Sequence, residues 1–174
     1  MALNVEIKAK CSSLEKAIEK LKALGADYKG LDHQIDTYFR VNNGRLKLRE
    51  GNIERNLIQY HRANQAGPKS SFFKLFPVPV DSDLKVMLEN SLGILTVVDK
   101  QRHIYYINNV KFHVDEVRDL GNFVEIEAGN LLAPLTKEEL NDQCAHYMNE
   151  LNIKQSDLIE NSYSDLLLNL ITNA

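Results

Sequence analysis

The sequence predicts a single α+β domain over residues 1–174, in which about eight antiparallel strands are combined with a few helices. Apolar and charged residues alternate at a period of two in several segments, which is typical of strands with two different faces. Turn residues separate most of these segments at hairpin spacing. Helical periods occur near the start, the middle and the end of the chain, and no linker or internal repeat divides it.

The composition excludes several classes of protein. Hydrophobic residues make up 44% of the chain and charged residues 26%, with a net charge of -3, so no basic field attracts nucleic acid. No apolar run reaches the roughly 20 residues that cross a membrane. The first residues lead directly into a charged strand, so we expect no signal peptide. Cys11 and Cys144 lack metal-site spacing, which favours a reduced, cytoplasmic protein.

The strand predictions depend on alternation and on turn residues. In the first strand Glu6, Lys8 and Lys10 alternate with small apolar residues, so every polar position on one face carries a charge. The Asn-Asn-Gly sequence at 42–44 predicts a hairpin, because these residues tolerate the positive φ of tight turns. Gly and Pro residues separate the later segments. The predicted strands are 4–10, 35–41, 45–49, 56–62, 72–78, 94–107, 110–117 and 123–128.

The helix predictions depend on a period near 3.6 and on capping residues. Ser12 and Glu15 form a predicted capping box before a helix that ends at Gly25. Thr136 and Glu139 form another before a helix that reaches 151. A short helix at 81–92 is capped by Asp81 or Ser82, and a last helical stretch covers 156–171.

Charges on the strand faces form a basic and an acidic set. If both sets faced one cavity, the excess charge would be positive, and Arg and Lys suit phosphate oxygens. Carboxylates would repel phosphate but would ligate Mg²⁺ or Mn²⁺, which bridge protein and phosphate. Glu125 and Glu127 could also be cross-strand partners of Lys or Arg. The basic set is Lys8, Lys10, Arg45, Lys47, Arg49, Arg62, Lys74, Lys100 and Arg102, and the acidic set is Glu6, Asp115, Glu125 and Glu127.

Two arrangements of the strands agree with this pattern. One is an open sheet with solvated charges, and the other is a barrel with the charges inside and helices covering the apolar outer face. The barrel would create a site for a polyphosphate and a divalent metal, whereas the open sheet would not enclose one.

These residues resemble the motifs of the CYTH, or triphosphate tunnel metalloenzyme, superfamily. The pentapeptide at 6–10 is similar to the ExExK signature of that family, and the later motifs follow in the family's order between Val5 and Leu167. The sequence Gly-Pro-Lys at 67–69 is similar to the class IV adenylate cyclase-like branch. The other matching segments are 45–49, Lys100 with Arg102, Asp115, Glu125 with Glu127, and 162–167.

The resemblance implies an eight-stranded antiparallel β-barrel, or tunnel, with helices packed on the outside and a triphosphate inside. It implies Mg²⁺ or Mn²⁺ ligands at Glu6, Glu125 and Glu127, with Asp115 as a ligand or a supporting partner. It assigns catalytic roles to Lys10, Arg49 and Glu127. The implied triphosphate-binding residues are Lys8, Lys10, Lys47, Arg49, Arg62, Lys74, Lys100 and Arg102, with Arg45 and Lys69 as further candidates. Some of Lys47, Arg45, Lys74 and Lys69 could instead face outward or lie at the mouth.

Lys8 departs from the family pattern, because the signature has its second glutamate there. The substitution removes one metal ligand and adds a cation. We therefore expect a lighter metal load, with one firmly held ion and one that arrives with substrate.

The resemblance implies a metal-dependent enzyme acting on a nucleoside or inorganic triphosphate, such as a cyclase converting ATP to cyclic AMP and pyrophosphate. Hydrolysis of inorganic or thiamine triphosphate is an alternative within the family. The presence of Lys8 leaves a third alternative, which is a protein that binds nucleotide or polyphosphate without turnover. An RNA-binding sheet would need exposed aromatic residues between the charges. The apolar C-terminal helix leaves room for a homodimer.

Overall fold

The computed structural model describes residues 2–173 as eight strands, four α-helices and one short 3₁₀ helix. The strands are β1 Ala2–Lys10, β2 Asp27–Phe39, β3 Arg45–Glu50, β4 Arg55–Arg62, β5 Lys69–Pro77, β6 Ile94–Ile107, β7 Val110–Val117 and β8 Gly121–Gly129. The α-helices are α1 Leu14–Ala23, α2 Leu84–Leu92, α3 Lys137–Glu150 and α4 Tyr163–Thr172, and the 3₁₀ helix is Gln155–Asp157.

The strands close into an antiparallel barrel with the order β1-β5-β4-β3-β2-β6-β7-β8, and β8 pairs back onto β1. This confirms the predicted fold class and excludes the open sheet. Closure turns alternate side chains of every strand toward a shared interior, because successive residues of a strand point to opposite faces. The charged faces of the separate strands therefore converge.

The outer face of the barrel is apolar beneath α1 and α3. Val5 and Ile7 of β1, Phe112 of β7 and Ile126 of β8 belong to one buried cluster. Leu21 of α1, with Leu140 and Cys144 of α3, completes this cluster and is fully buried. Covering the β1–β8–β7 face in this way leaves the charged face of the same strands inside the barrel. A smaller cluster under α2 contains Phe39, Leu48 and Val78.

Helix α4 fills one end of the barrel. Tyr163, at its first turn, is 4% exposed and packs with Phe123 of β8 and Val98 of β6. Leu166 and Leu167 lie against the same cluster. The Tyr163 and Phe123 rings are 5.0 Å apart between centroids. We call this group, Tyr163 with Phe123, Val98, Leu166 and Leu167, the floor.

Several predicted boundaries are corrected by the structure. The strand predicted at 35–41 begins at Asp27, because β2 pairs with β6 along nearly its whole length. The predicted cap at Ser12 is wrong: Ser13 is the N-cap of α1 and accepts a hydrogen bond from the Lys16 amide. Helix α2 begins at Leu84, and the last helix begins at Tyr163, where Ser162 provides the N-cap.

The predicted capping box of Thr136 and Glu139 is confirmed at the start of α3. The turn at 42–44 also takes the expected form, with Gly44 at φ 63 and no room for a side chain against Tyr60 and His61. Within the described part of the chain, no helix combines the length and the apolar character that crossing a membrane requires.

Candidate functional site

The barrel interior contains a cavity of about 350 Å³ whose wall is rich in charge. All the strands contribute to it, and positive side chains outnumber negative ones. The basic side chains lining it are Lys8, Lys47, Arg49, Arg62, Lys100, Arg102 and Lys111, and the acidic ones are Glu6, Glu54, Glu125 and Glu127.

The floor contributes a polar atom and an aromatic face to this cavity. The Tyr163 hydroxyl donates a hydrogen bond to Asp115 Oδ2 at 2.7 Å. Lys8 Nζ lies 3.9 Å from the centroid of the Tyr163 ring, and Lys100 Nζ lies 5.9 Å from it. Two ammonium groups therefore lie beside one ring at the deep end of the cavity.

The start of α4 is held in place by Arg45 of β3. Arg45 donates to Ser162 Oγ at 2.6 Å and to Asp165 Oδ2 at 2.9 Å. Lys69 of β5 donates to the Glu160 carbonyl at 2.9 Å in the segment before the helix. Arg45 and Lys69 thus hold the floor in place.

Asp36 of β2 gathers three of the interior cations. Arg49 donates to both of its oxygens at 2.9 Å, Lys100 donates at 2.8 Å and Lys47 at 3.0 Å. The Asp36 side chain is 1% exposed. Burial alone would raise its pKa, but Arg49, Lys100 and Lys47 hold the pKa well below its ordinary value. Asp36 is a fixed anion that positions these cations at the cavity wall.

Arg102 of β6 is oriented by a second pair of carboxylates. It donates to both oxygens of Asp115 at 2.7 and 2.6 Å, and to Glu125 at 3.1 Å. Glu125 also has Lys8 Nζ at 3.4 Å and His113 Nδ1 at 3.0 Å. Burial would raise the pKa of Glu125, but Arg102 and Lys8 hold it well below its ordinary value.

Arg62 of β4 has donors that are not used. Its Nη1 donates to Glu6 Oε1 at 2.7 Å, and its side chain is 7% exposed. Its Nε and Nη2 have no hydrogen-bond acceptor among residues 2–173. A buried guanidinium with two nitrogens that lack an acceptor is costly unless an acceptor such as an oxyanion occupies the cavity.

Three buried lysines have lowered pKa values, chiefly because burial disfavours their charge. Burial lowers the pKa of Lys8 and of Lys69 to about 8 and that of Lys100 to about 7. Neighbouring cations lower each of them further, Arg62 for Lys8 and Lys69, and Arg102 for Lys100. A polyanion in the cavity would relieve this repulsion.

The open end of the cavity, which we call the mouth, lies opposite the floor. The turn after β3 brings Glu54 to it, where Glu54 accepts from Arg49 at 2.9 Å and pairs with Lys111. Asp32 holds this turn by accepting from the Ile53 and Glu54 amides at 2.8 and 2.9 Å. Other side chains at the mouth are Asn4, Asn56, Asn109, Leu75, Leu131 and Leu132.

The residues at the β7–β8 wall fit a divalent metal. His113, Glu125 and Glu127 each offer a ligand atom, and these atoms lie within 4.8 Å of one another. Glu127 pairs across the strands with Glu6, and their mutual repulsion adds to burial in raising the pKa of Glu6. From Ala2 to Asn173 no Lys or Arg forms an ion pair with Glu127. Glu127 is therefore open to a cation such as Mg²⁺ or Mn²⁺, whereas Glu125 already pairs with Arg102 and Lys8.

The structure brings most of the predicted site residues together. Lys8, Lys47, Arg49, Arg62, Lys100, Arg102, Glu6, Glu125 and Glu127 all line the cavity. Asp115 lies behind Arg102, fully buried and bonded to Arg102 and Tyr163, which favours a supporting role over metal ligation. Lys10 is exposed at the end of β1, and Lys74 is exposed on the outward face of β5, so neither lines the cavity.

Sequence reasoning missed Asp36, Glu54, Lys111, His113 and Tyr163. The period of two in Asp32-x-Gln34-x-Asp36 was a usable signal for an inward polar face on β2. Glu54 lies in a turn, and Tyr163 comes from the C-terminal helix, so neither belongs to an alternating pattern that would have identified it.

A closed antiparallel barrel with cations and carboxylates on its inner wall offers groups that suit phosphate oxygens and a divalent metal. The CYTH domain matches residues 2–163, so the chain belongs to the CYTH family. It is 25% identical to a protein of Methanocaldococcus jannaschii named "Putative adenylate cyclase MJ0240", over 94% of this chain and 98% of that protein.

Solved structures of low sequence identity share the fold. The PH1012 protein of Pyrococcus horikoshii has a TM-score of 0.74 at 23% identity, covering 94% of this chain and 98% of that one. A Vibrio parahaemolyticus structure described as "a putative adenylate cyclase" has a TM-score of 0.73 at 14% identity, covering 95% and 98%. The Hippeastrum protein HpAC1, described with a dominant triphosphatase activity, has a TM-score of 0.60 at 12% identity, covering 97% and 94%.

Proposed function

We propose that this protein is a metal-dependent enzyme that acts on a triphosphate held inside the barrel, as in class IV adenylate cyclases. The observation that carries the proposal is Arg62, a buried guanidinium that lines a cavity with excess positive charge and has two nitrogens without an acceptor among residues 2–173. Phosphate oxygens supply the acceptors and the negative charge that this arrangement lacks.

The metal would be held by Glu127 and Glu125, with His113 and Glu6 beside them. Mg²⁺ or Mn²⁺ held there would supply positive charge that offsets the charge of the phosphate groups. The protein itself supplies position and fixed charge. Asp36 and Asp115 fix the positions of the Arg49 and Arg102 guanidinium groups, so the N–H groups that remain are already in place when the substrate binds.

Catalysis in such a site comes mainly from alignment and charge neutralisation. In cyclisation the ribose 3′ oxygen attacks the α-phosphorus, its proton leaves, and the bond to pyrophosphate breaks. In hydrolysis a water attacks the terminal phosphorus and the bond to the diphosphate breaks. The names of the Methanocaldococcus and Vibrio relatives support the first reaction, and the activity described for HpAC1 supports the second.

The test is turnover with product separation. The protein is incubated with Mg²⁺ or Mn²⁺ and, in separate reactions, ATP, inorganic triphosphate and thiamine triphosphate. We expect a metal-dependent product from at least one of them: cyclic AMP with pyrophosphate identifies a cyclase, and orthophosphate identifies a hydrolase. A chelator should stop the reaction. Absence of product from all three substrates would contradict an enzymatic role.

Lys8 supports a second candidate, a protein that binds triphosphate without turnover. Its ammonium lies 3.4 Å from Glu125, where the family signature would place a carboxylate. Such a protein would be stabilised against heat by ATP or inorganic triphosphate, by an amount that rises with the logarithm of ligand concentration, yet would release no product. Turnover would reject this candidate.

Triphosphate binding is expected to take up protons and to weaken as the pH rises from 7 to 9. Lys100 has a pKa of about 7, and Lys8 and Lys69 have pKa values of about 8, so these lysines are partly neutral at pH 8. A bound polyanion favours the charged forms and raises these pKa values. The terminal phosphate group, with a second pKa of about 6, is already ionised at this pH and does not obscure the effect.

Calorimetry at pH 8 in two buffers of different ionisation enthalpy measures this uptake. Lys100→Met should reduce the number of protons taken up, because it removes one titrating group. Binding without proton exchange in the native protein would contradict the expectation.

A further inference from the structure

One carboxylate of the cavity wall comes from a turn rather than from a strand. Glu54 ends the turn at 51–54 between β3 and β4, and its side chain lines the cavity at the mouth. Asp32, fully buried on β2, accepts hydrogen bonds from two amides of this turn. Asn52 donates to the Leu31 carbonyl of the same strand at 3.1 Å. The backbone of the turn is therefore anchored to the barrel, which leaves rotation of the Glu54 side chain as the available movement.

The Glu54 carboxylate joins two cations that lie on distant strands. It accepts from Arg49 Nη1 at 2.9 Å and from Gln34 Nε2 at 3.3 Å, and its other oxygen pairs with Lys111. Arg49 belongs to β3 and Lys111 to β7, and both β2 and β6 lie between these strands in the barrel. Burial alone would raise the pKa of Glu54, but Arg49 and Lys111 hold that pKa well below its ordinary value. Glu54 is therefore a negative charge that reaches across part of the mouth.

The strand register gives the depth of this contact. Lys111 lies opposite Glu127 on β8, whereas Lys8 lies opposite Glu125 of the same strand. Two residues along a strand are separated by roughly 7 Å, so Lys111 lies about that much nearer the mouth than Lys8. A single phosphate group beside Lys8 does not reach Lys111, whereas a chain of three phosphate groups is long enough to contact both.

We propose that Glu54 is an internal competitor for the outer end of the phosphate chain. Its carboxylate occupies donors of Arg49 and Lys111 that a triphosphate would use, so binding of the triphosphate has to displace it. This inference rests on the proposed function and adds a residue that sets affinity according to chain length. The charge of Glu54 opposes a long anion that reaches these cations. An anion confined to the floor contacts neither cation and displaces nothing.

The test compares inorganic triphosphate with orthophosphate as ligands of the native protein and of Glu54→Gln. Binding is measured by calorimetry in the presence of a chelator and, separately, of Mg²⁺, so that the contribution of the cations is seen without the metal. We expect the affinity for triphosphate to rise about ten-fold in Glu54→Gln, because a repulsive charge and a competing acceptor are removed together. The affinity for orthophosphate should stay within about two-fold of the native value, because the floor cations are unchanged.

Glu50→Gln is the matched control. Glu50 also pairs with one arginine and one lysine, Arg55 at 3.2 Å and Lys85 at 3.0 Å, and its side chain is 23% exposed against 18% for Glu54. It lies on β3 but does not line the cavity. Both substitutions remove the same charge, so an effect of net charge would appear in both variants. We expect Glu50→Gln to change neither affinity.

Glu54→Asp keeps the test decisive if Glu54→Gln folds poorly. Aspartate retains the negative charge but is one methylene shorter, so it cannot contact Arg49 and Lys111 at the same time as glutamate does. We expect a smaller gain in triphosphate affinity than in Glu54→Gln, again without a change for orthophosphate. Thermal unfolding of each variant shows whether the barrel is intact.

The outcomes separate this inference from the function on which it rests. A gain for triphosphate alone supports competition by Glu54. An unchanged or weaker affinity for triphosphate in both Glu54 variants would overturn the inference while leaving the triphosphate site in place. Equal gains for triphosphate and orthophosphate would also overturn it, because the effect would then not depend on reaching Arg49 and Lys111. If the native protein binds triphosphate neither with the chelator nor with Mg²⁺, the proposed function fails and this inference fails with it.

Discussion

Replacing Glu127 with glutamine should lower metal-dependent turnover by at least about 100-fold, because the charge that a divalent ion supplies to phosphoryl transfer is worth several kcal/mol. Glutamine keeps the shape of the side chain but removes its negative charge. Among the cavity carboxylates of residues 2–173, Glu127 forms no ion pair with Lys or Arg, so its charge is the one available to a metal. Mn²⁺ binding, followed by electron paramagnetic resonance, should weaken in parallel.

The same substitution should leave the fold intact. Glu127 repels Glu6 and contributes to the raised pKa of that group, so neutralising it costs no ion pair with Lys or Arg and relieves some repulsion. We expect the midpoint of thermal unfolding to stay the same or rise slightly. Glu116→Gln is the control, since Glu116 is exposed on the outward face of β7. Full activity of the Glu127→Gln variant would show that catalysis does not require the Glu127 carboxylate.

Replacing Asp36 with asparagine should destabilise the protein by about 3–5 kcal/mol, the usual cost of leaving buried charges without their partner. Arg49, Lys100 and Lys47 all bond to this carboxylate, and Asp36 and Lys100 are almost fully buried. Asparagine fills the same space as aspartate, so the loss of stability is due to the removed charge and not to a cavity. Urea unfolding at pH 7 measures the change in the free energy of unfolding.

Asp99→Asn is the matched control for Asp36. Asp99 also pairs with two basic side chains, His33 and Arg118, but it is 31% exposed, so its loss should cost less than about 1 kcal/mol. Inorganic triphosphate should recover part of the stability lost in Asp36→Asn, because the released cations gain an anionic partner. A loss below about 1 kcal/mol in Asp36→Asn would contradict the role assigned to this carboxylate.

The strands and their charged faces could be predicted from the sequence because both are local. The strands β6 and β7 begin and end where the alternation and the Asn108-Asn109 turn place them. Closure into a barrel is not a local property. From the residues alone the open sheet remained possible, and the resemblance to a family favoured the barrel that the structure confirms.

Cross-strand partnerships within the site could not be predicted, because they depend on register. Asp36 and Lys100 are 64 residues apart in the sequence, and they come into contact only because β2 pairs with β6. Lys10 continues the alternation of Lys8 but lies beyond the end of the cavity. A period of two predicts which face of a strand a side chain is on, but it does not predict where along the strand the cavity ends. The positions of Lys10 and Lys8 differ by depth along the barrel.

Tyr163 and the rest of the floor lie beside Lys8 and Lys100, at the end of the cavity opposite the mouth. If a triphosphate enters from the mouth, phosphate groups contact these cations before the reaction and after it. A phosphate-containing product that remains there occupies the cations that the next substrate needs, so accumulated phosphate or pyrophosphate should compete directly with incoming substrate.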